Sequence, residues 1–298
     1  MRFALISGQD GEDVKHIFIE EAKKIFDSVL YVPIDLVRID LEDNEIKAKY
    51  KNVDLTSFDC AYIRVFQKDF LFAEILLDLL ESKGIAMPSC LDGYQITNHK
   101  YFSVQKVSRI GIPSPDSSLS ISPGSALCLG EKLGYPLVLK LLQGYGGKGV
   151  MLLKSEEELR PILDTLQVFE EFLSMQSFVP NANTDTRGLV IGEEVIGIRR
   201  TGSGNEWRAN VSTGGKAEIV ELPDDIKQMA LSCSQLLGLS ICAIDFIETS
   251  DGTRFIEANF TPGIMPKYFG GELARKMLLH IKDIALEIKA SNDRGYNQ

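Results

Sequence analysis

Short apolar runs alternate with helical patterns along the first third of the chain. Residues 3–7 form an apolar run, and a helical pattern follows at about 13–26. Residues 70–83 carry acidic residues at helical spacing within an apolar segment, which predicts an amphipathic helix. Strands that alternate with helices predict a small parallel-sheet α/β domain over residues 1–95. Its remaining strands are predicted at 30–33, 46–49, 60–65 and 85–88.

Helices and strands continue beyond residue 95, and β patterns dominate from Val168 onward. A Pro-, Ser- and Gly-rich stretch at 111–124 predicts little regular structure, whereas Ser250-Asp251-Gly252 predicts the turn of a β-hairpin. The pattern indicates an α+β arrangement in the C-terminal part. Helices are predicted at 98–109, 125–133, 156–166, 225–237 and 271–289, and strands at 137–142, 150–154, 168–173, 188–191, 195–200, 242–248 and 253–258. The predicted domains after 1–95 are a central one at 96–174, a C-terminal one at 175–290 and a frayed tail at 291–298.

Composition excludes several classes of function. With 32 Lys and Arg against 42 Asp and Glu, the net charge is -10, which disfavours non-specific nucleic-acid binding. The chain contains no apolar stretch of about 18 residues and no secretory signal, so we expect no membrane partner and a cytoplasmic location. Its five cysteines contain no C-x-x-C pair and its three histidines show no zinc spacing, so we expect reduced thiols and no transition-metal site.

A glycine-rich segment, Gly144-Tyr-Gly-Gly-Lys-Gly149, lies between two apolar runs. It satisfies G-x-G-x-x-G but opens no predicted helix, and Lys148 is followed by Gly rather than Ser or Thr. Between two strands it predicts either a flap that closes over phosphates or a flexible hairpin without a ligand. Lys140 stands inside the preceding apolar strand, where it either reaches nucleotide phosphates or points from the strand edge to solvent.

Oxygen-bearing side chains mark the predicted C-terminal hairpin. Glu257 and Asn259 are two residues apart and therefore share a face, and Asp245 lies nearly opposite Glu257 across the turn. Two carboxylates and an amide suit Mg²⁺. The alternative is a solvent-facing row of polar residues on one side of the sheet.

Arginines gather on the preceding β segments. Arg187, Arg199, Arg200 and Arg208, with Asn210, predict either an anion pocket or exposed residues that pair with nearby glutamates. The residues 168–173 form the last pattern, which weakly indicates a strand that presents its backbone to an adenine.

Taken together, these motifs resemble the ATP-grasp superfamily and, within it, the RimK-type amino-acid (alpha-L-glutamate) ligases, over about residues 60–290. The resemblance implies an ATP-grasp fold preceded by a small parallel-sheet α/β (pre-ATP-grasp) domain. The motifs that carry it are, in chain order, Asn98-His-Lys100, Gly111-Ile-Pro-Ser-Pro115, Tyr135-Pro-Leu-Val-Leu-Lys140, Gly146-Gly-Lys-Gly-Val150, Glu170-Glu-Phe-Leu173, Asp185-Thr-Arg187, Glu206-Trp-Arg-Ala-Asn210, Gly214-Gly215, Ala243-Ile-Asp245 and Glu257-Ala-Asn259-Phe-Thr-Pro-Gly263.

The resemblance also implies a role for each matching residue. The expected nucleotide ligands are Lys100, Lys140, the loop residues Gly144, Gly146, Gly147, Lys148 and Gly149, the adenine and ribose residues Glu170, Glu171, Phe172 and Leu173, and Asp185 and Arg187. The expected catalytic residues, which would face the transferred phosphoryl group and the acceptor carboxylate, are Arg199, Arg208 and Asn210. The expected metal ligands are Asp245, Glu257 and Asn259.

The implied activity is an ATP-dependent carboxylate–amine ligase with two Mg²⁺ ions, for which Mn²⁺ is an alternative. ATP would phosphorylate a carboxylate, and the amine of L-glutamate or a similar amino acid would attack the acylphosphate. The acceptor would be a small cofactor, a protein or a carrier, and the family suggests a homo-oligomer (dimer or tetramer). Two alternatives stay open at this point, a phosphotransferase that acts on a hydroxyl group and a nucleotide-sensing or scaffold protein without turnover.

Overall fold

The structure is a computed structural model that describes residues 1–8, 10–65, 67–142, 149–168, 173–180, 183–203, 209 and 215–295. Its strands are β1 (Arg2–Ser7), β2 (Ser28–Pro33), β3 (Val37–Glu42), β4 (Glu45–Tyr50), β5 (Val53–Asp54), β6 (Cys60–Arg64), β7 (Ser117–Ser120), β8 (Leu137–Leu141), β9 (Val150–Leu153), β10 (Leu173–Ser177), β11 (Thr184–Ile191), β12 (Glu194–Thr201), β13 (Lys216–Val220), β14 (Ile241–Thr249) and β15 (Gly252–Asn259). Its helices are α1 (Glu12–Lys23), α2 (Phe70–Ser82), α3 (Leu91–Asn98), α4 (Lys100–Ser108), α5 (Pro123–Leu133), α6 (Glu156–Val168), α7 (Asp224–Leu237), α8 (Pro266–Phe269) and α9 (Glu272–Gly295).

The chain divides into two compact units. Unit 1 comprises residues 1–95, 238–241 and 260–298, and unit 2 comprises residues 96–237 and 242–259. Residues 238–241 and the C-terminal segment 260–298 therefore belong to the N-terminal unit. The finer division of the chain at residue 174 stays a prediction, but the tail predicted to fray at 291–298 is helical as far as Gly295, where α9 ends.

Unit 1 contains the predicted parallel sheet, in the order β2-β1-β6. Five of the six residues of β1 are buried, as expected for a central strand that is covered on both faces. Below it, α2 buries Leu76, Leu77 and Leu80 at helical spacing and is followed by Gly84 with a φ of 72°, a left-handed conformation that favours glycine at a helix end. The prediction of a small parallel-sheet α/β domain is confirmed.

A second, antiparallel sheet of unit 1 has the order β3-β4-β5. The strand predicted at 46–49 is confirmed within β4, but β3 was not predicted. The two strands are joined by Asp43 and Asn44, whose φ values of 50° and 67° are those of a tight hairpin turn. The strand predicted at 85–88 is wrong, because the structure has there only a single parallel bridge between Cys60 and Ala86.

Unit 2 is built on two antiparallel sheets. The first has the order β7-β10-β8-β9 and carries α5 and α6, and its core includes Leu139, Leu153, Leu163 and Met175. Two expectations are corrected here. Regular structure does form at 117–120, because β7 pairs with β10 at the edge of the sheet, and the strand predicted at 168–173 begins only at Leu173 because α6 runs to Val168.

The second sheet of unit 2 has the order β13-β12-β11-β14-β15. The predicted hairpin is confirmed as β14 and β15, whose register places Asp245 opposite Glu257 and shifts by a bulge directly after Asp245. Gly188 lets α7 approach this sheet closely, since a Cβ there would lie 3.0 Å from the Cβ of Ala230. No helix in the described ranges is both long and apolar enough to cross a membrane.

Gly197 in β12 provides a test of this packing. A Cβ at Gly197 would lie 2.3 Å from the carbonyl oxygen of Val220 and 2.6 Å from Cγ of Leu222. Since the backbone of β13 cannot move away without loss of its pairing, we expect Gly197→Ala to lower the free energy of unfolding by about 1–3 kcal/mol. Denaturant titration measures it. Gly124→Ala is the control, because nothing lies within 4 Å of a Cβ there and alanine is the better helix former, so that variant should be neutral or slightly more stable.

Candidate active site

A cleft in unit 2 is lined by both of its sheets. The first sheet contributes Val138 and Lys140 from β8, and Val150 from β9. The second contributes Asp245 and Ile247 from β14. Apolar and charged side chains therefore face each other across the same cleft, which is the usual composition of a small-molecule site.

Lys140 is buried at the wall of this cleft. Only 8% of it is exposed, and its Nζ donates a hydrogen bond of 2.8 Å to Oε1 of Gln176 on β10. The solvent-facing alternative for Lys140 is therefore wrong. Burial lowers the pKa of Lys140 to about 8, although Glu257 nearby opposes the shift. A buried lysine whose hydrogen-bond partner is neutral remains available for an anion in the cleft.

Asp245 is the centre of a buried network of ion pairs. Arg187 donates to both of its carboxylate oxygens, with Nε–Oδ1 and Nη2–Oδ2 distances of 2.7 and 2.8 Å. Arg200 donates from Nη2 to Oδ2 at 2.9 Å and grips Asp185 with two further bonds of 2.6 Å. Burial by itself would raise the pKa of Asp245, but Arg187 and Arg200 outweigh it and hold the pKa below its usual value.

Glu257 is the second acidic residue of this part of the cleft and lies opposite Asp245 across the β14–β15 pair. Lys100, at the start of α4, approaches it with an Nζ–Oε2 distance of 3.4 Å, and Nδ2 of Asn259 lies 3.4 Å from its Oε1. Burial opposes ionisation of Glu257, yet Lys100 and, more weakly, Lys140 lower its pKa. The solvent-facing alternative for this acidic pair is also wrong, because the side chain of Asp245 is 3% exposed and that of Glu257 is 24% exposed.

The predicted metal ligands Asp245, Glu257 and Asn259 fit a divalent cation by their chemistry. They are two carboxylates and one amide, all with hard oxygen donors, and two of them are paired across β14 and β15. In the part of the chain that the structure describes, no three Asp, Glu, His or Cys side chains converge on one point, so such a site depends on the amide of Asn259. The carboxylate of Asp245 is at the same time engaged by arginines.

The segment that follows β10 forms another wall of the cleft. Ser177, the last residue of β10, lines it together with the next two residues, Phe178 and Val179. Of the residues predicted to hold adenine and ribose, Leu173 is instead part of the hydrophobic core under the first sheet, with 4% exposure. Glu170, Glu171 and Phe172 lie outside the described residues. Leu173 therefore packs in the core, whereas Ser177, Phe178 and Val179 line the cleft.

Arg199 lies on the other face of β12 from Arg200. Successive side chains of a strand point to opposite faces, and Arg200 is buried in the cleft while Arg199 is 48% exposed and lies 3.7 Å from Glu248. Arg199 is therefore an exposed arginine paired with a nearby glutamate, which was the alternative to its place in an anion pocket. Its neighbour on β11, Thr186, is buried and also donates to Glu248.

The remaining predicted residues are placed only in part. Gly149 has a φ of 73° and its carbonyl accepts a hydrogen bond from Leu141, which closes the base of the glycine-rich segment. The predicted residues that lie outside the described ranges are Gly144, Gly146, Gly147, Lys148, Arg208 and Asn210.

Two residues of the site were not predicted as ligands. Gln176 holds Lys140, and Arg200 joins Asp185 to Asp245. The signal for Arg200 was present, since it belongs to the arginine group and is adjacent to Arg199, but only the strand register decides which of two neighbouring arginines faces inward. No feature of the sequence around Gln176 indicated that it would hold Lys140.

Comparison with known proteins agrees with this architecture. The RimK-like ATP-grasp domain family matches residues 97–281, which is more than half of the chain.

The chain belongs to the RimK-like ATP-grasp family. This is a family of ATP-dependent ligases. A relative from Legionella pneumophila (strain Corby), named as a probable alpha-L-glutamate ligase, is 30% identical over 243 residues, which cover 80% of each chain. A relative of the same name from Histophilus somni (strain 2336) is 35% identical over 187 residues, which cover 61% of this chain and 62% of that one. The chain thus matches less than two thirds of the length of the Histophilus relative.

A solved structure supports the fold over nearly the whole RimK-like ATP-grasp chain. The RiPP-associated ATP-grasp ligase from Chryseobacterium gregarium, in complex with ADP and a leader and core peptide, superposes with a TM-score of 0.72 and covers 95% of this chain and 97% of its own. Its sequence identity is 17%, so this similarity concerns the fold alone.

The lowered pKa of Lys140 predicts a particular pH dependence of stability. In the folded protein Lys140 loses its proton near pH 8, whereas an unfolded lysine loses it near 10.5. Between these values the unfolded chain binds more protons, so the free energy of unfolding of the wild type rises with pH. The penalty of burying the ammonium is complete below about pH 8 and is relieved above it.

The measurement is chemical denaturation of the wild type and Lys140→Met at about pH 7 and about pH 10. From pH 7 to pH 10, the free energy of unfolding of the wild type should rise by about 1–3 kcal/mol relative to that of the variant. Lys140→Leu should behave like Lys140→Met, because the effect belongs to the proton rather than to the new side chain. Parallel pH profiles of wild type and both variants would contradict the prediction.

Proposed function

We propose that the protein is an ATP- and Mg²⁺-dependent carboxylate–amine ligase that adds L-glutamate or a similar amino acid to a carboxylate acceptor through an acylphosphate. The observation that carries this proposal is the buried, cation-rich cleft of unit 2, where Lys100, Lys140, Arg187 and Arg200 surround Asp185, Asp245 and Glu257. Family membership supports ATP-dependent ligation, and the names of the relatives support L-glutamate as the amine.

The cleft has the features that an adenine nucleotide requires. Val138 and Val150 line it from one sheet and Ile247 and Ile256 from the other, which gives a flat base two apolar walls. The N–H groups of Ser177 and Phe178 already donate to the carbonyl oxygens of Asp116 and Pro136, so this segment would meet the edge of the base at Val179. The ADP in the Chryseobacterium structure supports the same use of this cleft.

The charged end of the cleft suits the triphosphate. Lys140 and Lys100 would bind phosphate oxygens, because both cations line the cleft and the hydrogen-bond partner of Lys140 among the described residues is the neutral Gln176. The glycine-rich residues 144–149 are proposed to close over the phosphates and exclude water, which would otherwise hydrolyse an acylphosphate. The roles of Arg199, Arg208 and Asn210 at the acceptor stay predictions.

Asp245, Glu257 and Asn259 are the residues that would hold Mg²⁺, and a bound Mg²⁺ supplies neutralisation of phosphate charge. In the first proposed step an acceptor carboxylate oxygen attacks the γ-phosphorus, the bond to the β-phosphate oxygen breaks, and ADP leaves. In the second step the amine nitrogen attacks the acyl carbon and loses a proton, and the carbon–oxygen bond to phosphate breaks. Arg200 would offset the negative charge that develops, because it is held rigidly by two carboxylates.

Three kinds of molecule fit the proposed carboxylate acceptor. A small cofactor that ends in a carboxylate, a protein C-terminus and a carrier side chain all have the required group, and the peptide bound by the Chryseobacterium enzyme supports the last two. The net charge of -10 makes a strongly acidic macromolecule the least favourable of them.

The test is ADP release with ATP and Mg²⁺ against a panel of amino acids, each with small-molecule and protein carboxylate acceptors, followed by mass spectrometry. The expected result is ADP formation that requires the amine and an acceptor that gains the mass of one amino-acid residue. ADP release and phosphorylation of a hydroxyl without any amine would replace the ligase by a phosphotransferase.

Glu257→Gln tests the assignment of the metal and phosphate end. We expect turnover to fall by about two to three orders of magnitude, because the amide removes one anionic ligand and leaves Lys100 without its carboxylate. Steady-state ADP release measures the loss, and an unchanged circular dichroism spectrum shows that the fold persists. Glu218→Gln on the exposed face of β13 is the matched control and should keep wild-type turnover. Equal turnover of the two variants would show that Glu257 has no role in the metal and phosphate site.

A further inference from the structure

Two arginines occupy most of the carboxylate of Asp245, a predicted metal ligand. Both of its oxygens accept from Arg187, at 2.7 and 2.8 Å, and Oδ2 accepts again from Arg200 at 2.9 Å. Three of the roughly four lone-pair positions of a carboxylate are thereby occupied. A divalent cation at Asp245 would have to take the one remaining position, beside two guanidinium groups of its own charge sign.

The two arginines are not equally fixed. Arg200 is 6% exposed and also pairs with a second carboxylate, that of Asp185, to which it donates two hydrogen bonds of 2.6 Å. Arg187 is 18% exposed and, among the described residues, its recorded ion pair is with Asp245 alone. Release of Arg187 would leave Asp245 still hydrogen-bonded to Arg200, whereas release of Arg200 would also deprive Asp185 of its two hydrogen bonds. Arg187 is therefore the partner that can leave.

We infer that Arg187 is a latch, which occupies Asp245 in the nucleotide-free protein and competes with the divalent cation for this carboxylate. A polyphosphate that enters the cleft offers the guanidinium another pair of anionic oxygens, so Arg187 transfers to phosphate and Asp245 becomes available to the cation. The consequence is an order of binding in which nucleotide promotes tight cation binding. This inference rests on the proposed nucleotide and metal site, but not on the amine or the acceptor.

The test measures Mn²⁺ binding to the full chain by isothermal titration calorimetry and by the electron paramagnetic resonance signal of free Mn²⁺. Without nucleotide, Arg187→Gln should bind Mn²⁺ at least about tenfold more tightly than the wild type, because a competing cation has been removed. At saturating ADP, which permits no turnover, the difference between the two proteins should shrink to within about threefold.

Three further variants make the result specific. Arg160→Gln removes an exposed arginine that pairs with Glu156 on α6, and it should leave Mn²⁺ binding unchanged. Arg187→Lys keeps the charge but loses the two-pronged contact, so its affinity should lie between wild type and Arg187→Gln. Adding Asp245→Asn to Arg187→Gln should abolish the gain. Unfolding curves confirm that each variant is folded.

An Arg187→Gln variant that binds Mn²⁺ no more tightly than wild type, or a gain that survives Asp245→Asn, would overturn the latch. These outcomes are separate from the ligase proposal. Mn²⁺ binding without amine or acceptor can show the latch even if no ligation is ever observed, and ligation can proceed normally in a protein whose Arg187 has no effect on Mn²⁺.

Discussion

The buried charges of unit 2 must be matched with one another, and the site depends on this constraint. Asp245, Arg200 and Lys140 are each less than one tenth exposed. An isolated charge in such a place would cost several kcal/mol, so each must have a partner of opposite sign, a neutral hydrogen-bond partner or a lowered pKa. Arg200 and Asp245 use the first solution, and Lys140 uses the other two.

This matching makes the site responsive to a ligand. Asp245 and Glu257 are paired with Arg187 and Lys100, and these cations could bind phosphate oxygens instead. The two carboxylates could in turn bind a divalent cation. In the proposed function, Mg²⁺ and a polyphosphate would bring in both signs of charge together, and the ion pairs of the protein would exchange for contacts with them. A structure without such internal pairs could not keep the same residues buried in the absence of nucleotide.

The sheets supply the geometry of these exchanges. The antiparallel register of β11 and β12 places Asp185 opposite Arg200, and that of β14 and β15 places Asp245 opposite Glu257. Because side chains alternate between the two faces, one step along β12 separates a buried arginine from an exposed one. The register shift after Asp245 comes from an extra residue of β15, Ile256, so that Ile256 and Glu257 both line the cleft.

Sequence alone determined the parallel sheet of unit 1, the hairpin of β14 and β15, the membership of Lys140 and Asp245 in one site and the resemblance to the ATP-grasp ligases. The sheet and the hairpin rest on local periodicity, whereas the shared site and the family rest on the resemblance of the combined motifs to the ATP-grasp ligases. Tertiary structure alone decided that Arg200 rather than Arg199 faces the cleft, that the wall of the cleft is Ser177–Val179 rather than Leu173, and that two arginines hold Asp245. The physical reason is that strand register and the start of a strand are set by pairing partners distant in sequence, and a shift of one residue moves every side chain to the opposite face.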